Sequence, residues 1–220
     1  MKKTRYPKGI ETQHQIVEAA KHLFYLNGYE KTTMTEICKK IDIKGGTLTY
    51  YFPKKKDIVS KIYQDLNQNI RDNLYDTSMG ILRYITRGTF VIYLSFLQNE
   101  KTIRFHSEVL HNESVRDYVG QLPFILYHQL NEELKLGLGK EALADAGIAD
   151  LGIRREFMLN FLEEHQNGII PRSEIFAYCD KILILFGRIF TVPEMIMKNE
   201  IEIAHEFIDK NDISDIHFLL

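Results

Sequence analysis

The chain has 220 residues, 45% of them hydrophobic and 26% charged, with five prolines and thirteen glycines. That length and composition can bury a sizeable core, and they exclude disordered, fibrous and low-complexity classes. The net charge of −2 hides a split: residues 1–61 hold thirteen Lys or Arg against six Asp or Glu, leaving fifteen basic and twenty-four acidic residues for the remainder. A basic head on an acidic body is the balance expected where clustered cations neutralise nucleic-acid phosphates, although chance segregation of solvated charge gives the same count.

Cys38 and Cys179 are too few and too far apart for a disulfide framework or a zinc site, and apolar neighbours make both of them expected buried free thiols. Lys2, Lys3 and Arg5 resemble the charged start of a signal peptide, but no apolar run follows them. The longest apolar stretch, Ile182 to Met197, is broken by Arg188, Pro193 and Glu194, short of the roughly 20 residues that a bilayer requires. A cytoplasmic protein without a membrane partner is expected.

In chain order, Ile16, Ala19, Ala20, Leu23 and Phe24 recur at helical spacing before Asn27-Gly28, predicting a helix from about Glu11 to Asn27 with a left-handed cap. Thr33-Met34-Thr35-Glu36 has the form of a capping box and opens a second helix with Met34, Ile37, Cys38 and Ile41 on its buried stripe. A short third helix is expected near Lys44 and ends at Pro53, and a longer one from Lys55 to roughly Tyr75 carries Ile58, Val59, Ile62, Leu66 and Ile70. Helical periodicity continues over Ile81–Leu97, Thr102–Leu110, Ser114 to about Leu138 with a kink or break at Pro123, Arg154 to about His165, Ser173–Phe190 and Val192–Asp209. Gly137, Gly139, Gly147 and Gly152 predict an irregular connection from Leu138 to Ile153. The fold class is all-α: a head at 1–61 and a larger helical body at 62–220.

Two short helices joined by a tight turn form a helix-turn-helix when the second can lie in the DNA major groove. Gly45, Gly46 and Thr47 would let that helix approach bases and phosphates closely, and Thr47, Thr49 and Tyr50 supply hydrogen-bonding groups. The run Ile16-Val17-Glu18-Ala19-Ala20, Leu23-Phe24, Gly28-Tyr29, Thr32 to Ile37, Ile43 to Leu48 and Tyr51-Phe52-Pro53-Lys54-Lys55 resembles the DNA-binding domain of TetR-type repressors. The likeness covers about residues 11–60. It implies a three-helix DNA head, a body that binds a small molecule, and a homodimer formed through a four-helix bundle.

By that resemblance Thr33, Thr47, Tyr51 and Lys55 occupy positions that commonly touch DNA, Lys55 against a phosphate. The sequence departs from the pattern at three places: Asp42 where the family usually has glycine, Lys44 where it has a capping Ser or Thr, and Thr49 where it has tyrosine. Asp tolerates a left-handed turn; Lys44 cannot cap but can meet phosphate; Tyr50 stands one residue on, about 100° round the helix. The expected DNA-binding set is Thr33, Lys44, Gly45, Gly46, Thr47, Thr49, Tyr50, Tyr51, Lys54 and Lys55, with Tyr51 also able to pack inward while Tyr50 faces the groove.

In the body, His106, His111, His128 and His165 form no closely spaced ligand pattern, so neither a metal nor a cofactor is expected, and no catalytic set stands out. Most of the body's aromatic residues read as core. Mixed with Arg104, Gln121 and His128, however, some could line an apolar pocket with polar anchors, and Tyr93, Phe96, Phe105, His106 and Tyr127 are the expected effector site. Ile182, Leu183, Leu185, Phe186, Ile189, Phe190, Met195 and Ile196 offer more apolar surface than one stripe needs and are the expected dimer interface. These features describe a ligand-responsive regulator that binds double-stranded DNA at a pseudo-palindromic operator. An enzyme with no recognisable catalytic set, or a protein-interaction module with a degenerate head, remain the alternatives.

Overall fold

The computed structural model describes residues 7–76, 78–114, 122–211 and 216–219. Lys2, Lys3, Arg5 and Gln121 lie outside the described residues. The helices are α1 Pro7–Asn27, α2 Met34–Lys40, α3 Gly45–Tyr51, α4 Lys55–Leu74, α5 Ile81–Phe96, α6 Glu100–Asn112, α7 Leu122–Glu133, α8 Lys140–Gln166, α9 Ile175–Ile189 and α10 Glu194–Lys210, with a 3₁₀ turn Arg172–Glu174 before α9. No strand occurs among the described residues.

The first three helices and the start of α4 enclose a small core of Ile16, Ala20, Phe24, Ile37, Leu48, Phe52 and Ile58, all 3% exposed or less. α1 ends at Gly28, whose φ of 88° turns the chain into the α1–α2 loop. The capping box forms as read: the Thr33 N–H donates to Glu36 Oε2 at 2.7 Å, and the Glu36 N–H donates to Thr33 Oγ1 at 3.2 Å. Asp42 adopts φ 52° in the α2–α3 turn, which is therefore made without glycine. At the start of α4 the Lys54 N–H donates to the Asp57 carboxylate at 2.7 Å.

The body is organised round α5, which is buried on nearly every side and packs on α4, α6, α7, α9 and α10. Asn99 starts α6 by accepting from the Lys101 and Thr102 N–H groups at 3.1 Å each. Cys38 and Cys179 are buried and free.

The structure corrects the reading of 138–153. Most of that segment is the first half of α8, and only the turn before Lys140 is irregular. A glycine in a helix costs about 1 kcal/mol, but Gly147 lies where a Cβ would come within 2.9 Å of the Phe124 ring and 3.0 Å of Tyr127. Close packing of α7 on α8 thus needs a glycine within a helix, and tertiary contact outweighs propensity. Pro123 is the second residue of α7 as described, and residues 115–121 of the helix expected from Ser114 lie outside the described residues. Pro193 sets the start of α10, two residues later than the periodicity predicts.

The expected dimer surface is also revised. Ile182, Leu183, Phe186 and Phe190 are buried within the chain because α9 is wedged among α5, α8 and α10. What reaches outward is Met195, 80% exposed, and Ile196, 41% exposed, with Leu185 and Ile189 part-buried.

At Gly28 a Cβ would fall 2.7 Å from both carboxylate oxygens of Glu108, so Gly28→Ala meets a clash as well as a disfavoured φ and should destabilise the fold by about 1–3 kcal/mol. Gly152 lies within α8 with open space round it, and Gly152→Ala should stabilise by about 0.5–1 kcal/mol. Urea unfolding of the two variants checks the opposite signs.

Candidate nucleic-acid interface and internal cavity

α3 turns one face inward and leaves the other bare. Leu48 and Phe52 enter the head core at 1% and 3% exposure. Gly45, Gly46, Thr47, Thr49 and Tyr50 face outward, Tyr50 with 79% of its surface exposed. Tyr51 is part-buried against Tyr50, ring centroids 5.1 Å apart, with its hydroxyl beside Gly9 of α1. The two tyrosines therefore divide as the sequence suggests, one inward and one outward. The Thr49 hydroxyl donates back to the Gly45 and Gly46 carbonyls at 3.1 and 3.3 Å.

A Cβ on Gly45 or Gly46 would meet nothing within 4 Å, and neither residue has positive φ. Nothing inside the chain requires glycine there. Helix propensity favours almost any other residue, so the smallness of this surface points to a close approach from outside. Lys39, Lys40, Lys44 and Lys54 surround it, exposed and without an ion-pair partner among the described residues.

Lys55 behaves differently from its expected phosphate role. Its ammonium donates to the Tyr29 and Thr32 carbonyls at 2.6 and 3.0 Å and lies 4.0 Å from the Tyr29 ring centroid. Burial holds its pKa below the usual lysine value, against the opposing pull of Glu113 and Glu108. In this structure its charge is turned to the α1–α2 loop. The exposed Thr33 has its hydroxyl engaged in the capping box.

That same loop is gripped by α6. The Glu30 N–H donates to Glu108 Oε2 at 2.8 Å, the Asn112 amide donates to Glu30 Oε1 at 2.8 Å, and the Tyr29 hydroxyl donates to the Glu113 carboxylate. The Arg104 guanidinium donates to the Tyr25 and Leu26 carbonyls at 3.1 and 3.0 Å, a cation at the end of α1 where the helix dipole favours it. Phe105 fills the middle of the joint between Phe24, Tyr29 and Phe218.

Behind α6 lies a cavity of about 160 Å³ bounded by α4, α5, α6, α7 and α8. Of the five residues expected there, Tyr93, Phe96, His106 and Tyr127 line it. Phe105 does not: one residue along α6 from His106, it points at the head instead. Arg104 also faces the head, and His128 is exposed. Tyr63 and Asn67 of α4, Tyr84 and Thr89 of α5, and Arg154 and Arg155 of α8 add to the polar lining, and sequence spacing gave no signal for them.

Two hydrogen-bonded clusters involve residues of the wall, the second centred on Asp150 just behind it. The Tyr63 hydroxyl is 2.6 Å from His106 Nδ1, and the His106 ring stacks on Phe96 at 3.8 Å. Across the cavity Asp150 Oδ2 accepts from the Tyr127 hydroxyl at 2.6 Å and from Arg154 Nε at 2.7 Å, while Arg154 Nη1 donates to Thr89 at 3.0 Å. Burial opposes the Arg154 charge, yet Asp150, Tyr93 and Tyr127 outweigh it and hold the guanidinium protonated. Burial, then Asp150, pushes the Tyr127 hydroxyl well up. Burial alone pushes the His106 imidazole down to about 3, so it is neutral near pH 7. Among the described residues, no group of three or more acidic, His or Cys side chains could hold a metal.

The two short helices α2 and α3, the second with a bare outer face, are thus mounted on a helical body that holds a cavity. Residues 16–62 match the family model described as bacterial regulatory proteins, tetR family. Over 58 residues it is 31% identical to the HTH-type transcriptional regulator TtgR of Pseudomonas putida, and equally to the probable HTH-type transcriptional regulator ArpR of the same species. Each match covers 26% of this chain and only 28% of the relative's length. The whole fold is similar to that of RolR in complex with resorcinol, TM-score 0.61 at 14% identity, covering 96% of this chain and 100% of that one. It is also similar to TylP, a tetR regulator from Streptomyces fradiae, TM-score 0.55 at 15% identity, covering 90% and 98%.

The burial of His106 has a pH signature. Its folded pKa of about 3 lies below the unfolded value near 6.5, so the unfolded chain binds the extra proton as pH falls. The stability it contributes is complete above about pH 6.5 and declines towards pH 3, by up to about 1.4 kcal/mol per pH unit. His106→Asn keeps an acceptor near Nδ1 and should flatten the acid limb of stability against wild type between about pH 6.5 and 4.5. Parallel urea-unfolding curves for the two proteins across that range would contradict a buried neutral imidazole.

Proposed function

We propose that this chain is a ligand-responsive transcriptional regulator, most simply a repressor, that binds a pseudo-palindromic operator as a homodimer and is released by a small, mainly apolar effector. The observation that carries the reading is the outer face of α3, where two glycines meet no neighbour among the described residues and a tyrosine is bare, with exposed Lys39, Lys40, Lys44 and Lys54 in the flanking segments. Thr47 and Tyr50 read base edges, with Gly45 and Gly46 admitting the duplex. Lys44 and Lys54 meet phosphates. Thr33, Thr49, Tyr51 and Lys55 act from the margin, Thr33 at the start of α2 and Lys55 by fixing the loop that carries it. Residues 1–61 serve as the DNA-binding domain and 62–220 as the effector-binding and dimerisation domain, in a cytoplasmic, non-enzymatic protein. No described helix is long and apolar enough to cross a membrane.

The effector acts from the cavity through two struts. α4 runs from Lys55 at the head to Tyr63, Leu66 and Ile70 on the cavity wall. α6 carries His106 and Leu110 on the wall and Arg104, Glu108 and Asn112 at the head. An occupant that moves either helix moves the recognition helix, and by linkage DNA weakens the occupant equally. Resorcinol, held by the similar RolR fold, exemplifies such an occupant in size and character. The dimer is built on the outward surface of α9 and α10 round Met195 and Ile196, an apolar patch that suits an isologous contact.

Gly45→Ala and Gly46→Ala should leave the melting temperature unchanged or raised, yet weaken DNA, because the added methyl finds open space in the protein but not in the groove. Lys44→Ala and Lys54→Ala should each weaken all duplexes and lower the salt slope by about one, whereas Thr47→Ala and Tyr50→Ala should change sequence preference. Fluorescence anisotropy with the duplex upstream of the protein's own coding region measures all six. Full affinity in both glycine variants would remove the close approach. For the dimer, Met195→Glu with Ile196→Glu should give a folded monomer by light scattering and circular dichroism; a dimer that survives places the interface elsewhere.

A further inference from the structure

We propose that the cavity takes an uncharged, single-ring ligand bearing a hydroxyl group, with the His106 imidazole as the hydroxyl's anchor and the Asp150–Arg154 pair as a barrier to carboxylates. The proposal rests on the effector reading and narrows it to a ligand class. Size comes first. A cavity on the order of 150 Å³ holds a benzene ring, so about 160 Å³ admits one ring with a short substituent. Ile85, Phe96, Leu126 and Met158 make most of the wall apolar.

The anchor follows from an unmet hydrogen bond. His106 is 2% exposed, its Nδ1 is engaged by Tyr63, and its Nε2 has no partner among the described residues. Buried polar atoms without partners are rare, because each forfeits the hydrogen bond it had in water. A ligand that meets Nε2 recovers that loss, and one that cannot leaves it standing. A hydroxyl suits either tautomer of the ring, since it accepts from Nε2–H or donates to the Nε2 lone pair. Phe96, stacked on the imidazole, fixes the direction.

Charge is excluded by the opposite cluster. Arg154 lines the cavity, but its charge is already matched by Asp150, which is 0% exposed. Asp150 Oδ1 lacks a partner among the described residues. A carboxylate brought to Arg154 would therefore add a second negative charge beside an incompletely satisfied one in a low-dielectric site. The neutral His106 supplies no compensating cation, and Arg155, the other cation of the lining, is engaged by the Glu156 carboxylate at 2.5 Å and the Leu110 carbonyl at 2.6 Å. A neutral ligand meets neither penalty.

The test is isothermal titration of the full chain with 4-ethylphenol, propylbenzene and benzoate, which are alike in size and differ in polar group. 4-Ethylphenol should bind at least about tenfold more tightly than propylbenzene, the difference expected for one buried polar atom paired or left orphaned, and benzoate should not bind. His106→Phe should erase the preference, so that 4-ethylphenol and propylbenzene bind alike, whereas His106→Gln, which keeps a donor near Nε2, should retain part of it. In wild type the ¹⁵N resonance of His106 Nε2 should shift with 4-ethylphenol and stay in place with propylbenzene, a readout that requires no variant to fold. Equal affinities for the phenol and the hydrocarbon, or binding of the benzoate at least as tight, would overturn the ligand class while leaving the effector cavity standing. Failure of all three to bind overturns the ligand class, and if no member of a wider panel alters DNA affinity either, the effector reading falls with it.

Discussion

The carboxylate of Glu108 occupies the space beside Gly28 and holds the Glu30 N–H, and the relation of head to body depends on this joint. Gly28 satisfies two demands at once. Its φ of 88° turns α1 into the loop, and its missing Cβ lets α6 come close enough for Glu108, Asn112 and Arg104 to bond backbone and side chains of the head. Hydrogen bonds to charged groups are stronger and more directional than apolar contact, so the joint sets an orientation as well as an attachment. Phe105, packed among Phe24, Tyr29 and Phe218, excludes water from its centre.

Because adjacent residues on a helix point about 100° apart, α6 serves the head and the cavity together. Phe105 belongs to one and His106 to the other. A change at the imidazole is thus one residue away from the joint, and α4 gives a second route from cavity wall to loop through Lys55. Two rigid elements with contacts at both ends are the physical requirement for coupling distant sites.

The recognition surface and the cavity share a logic in which local stability is given up. α3 starts with two glycines and an uncapped Lys44, and it exposes Tyr50. The cavity keeps a neutral histidine and an ion pair in the interior, where apolar residues would be as stable or more so. Such departures concentrate at sites selected for contact with another molecule. α5, buried on nearly all sides, and the capped starts of α2 and α6 supply the rigidity that tolerates them.

Much of this architecture was legible in the amino-acid sequence because it depends on near neighbours in the chain. Thr33 and Glu36 specify a capping box three residues apart, Asn27-Gly28 a helix end, and the spacing of Ile58, Val59, Ile62, Leu66 and Ile70 a long amphipathic helix. The outward face of α3 follows from the same periodicity, whereas Tyr93, Phe96, His106 and Tyr127, on three helices, meet at one cavity only through packing. What depends on segments far apart in the chain was decided by tertiary structure alone. Gly147 reads as a helix breaker until Phe124 and Tyr127 lie against it. Phe186 and Phe190 read as a dimer surface until α5, α8 and α10 enclose α9. Lys55 reads as a phosphate contact until the Tyr29 and Thr32 carbonyls come within reach of its ammonium. Helical periodicity says which residues share a face; only the packing of one helix on another says what that face meets.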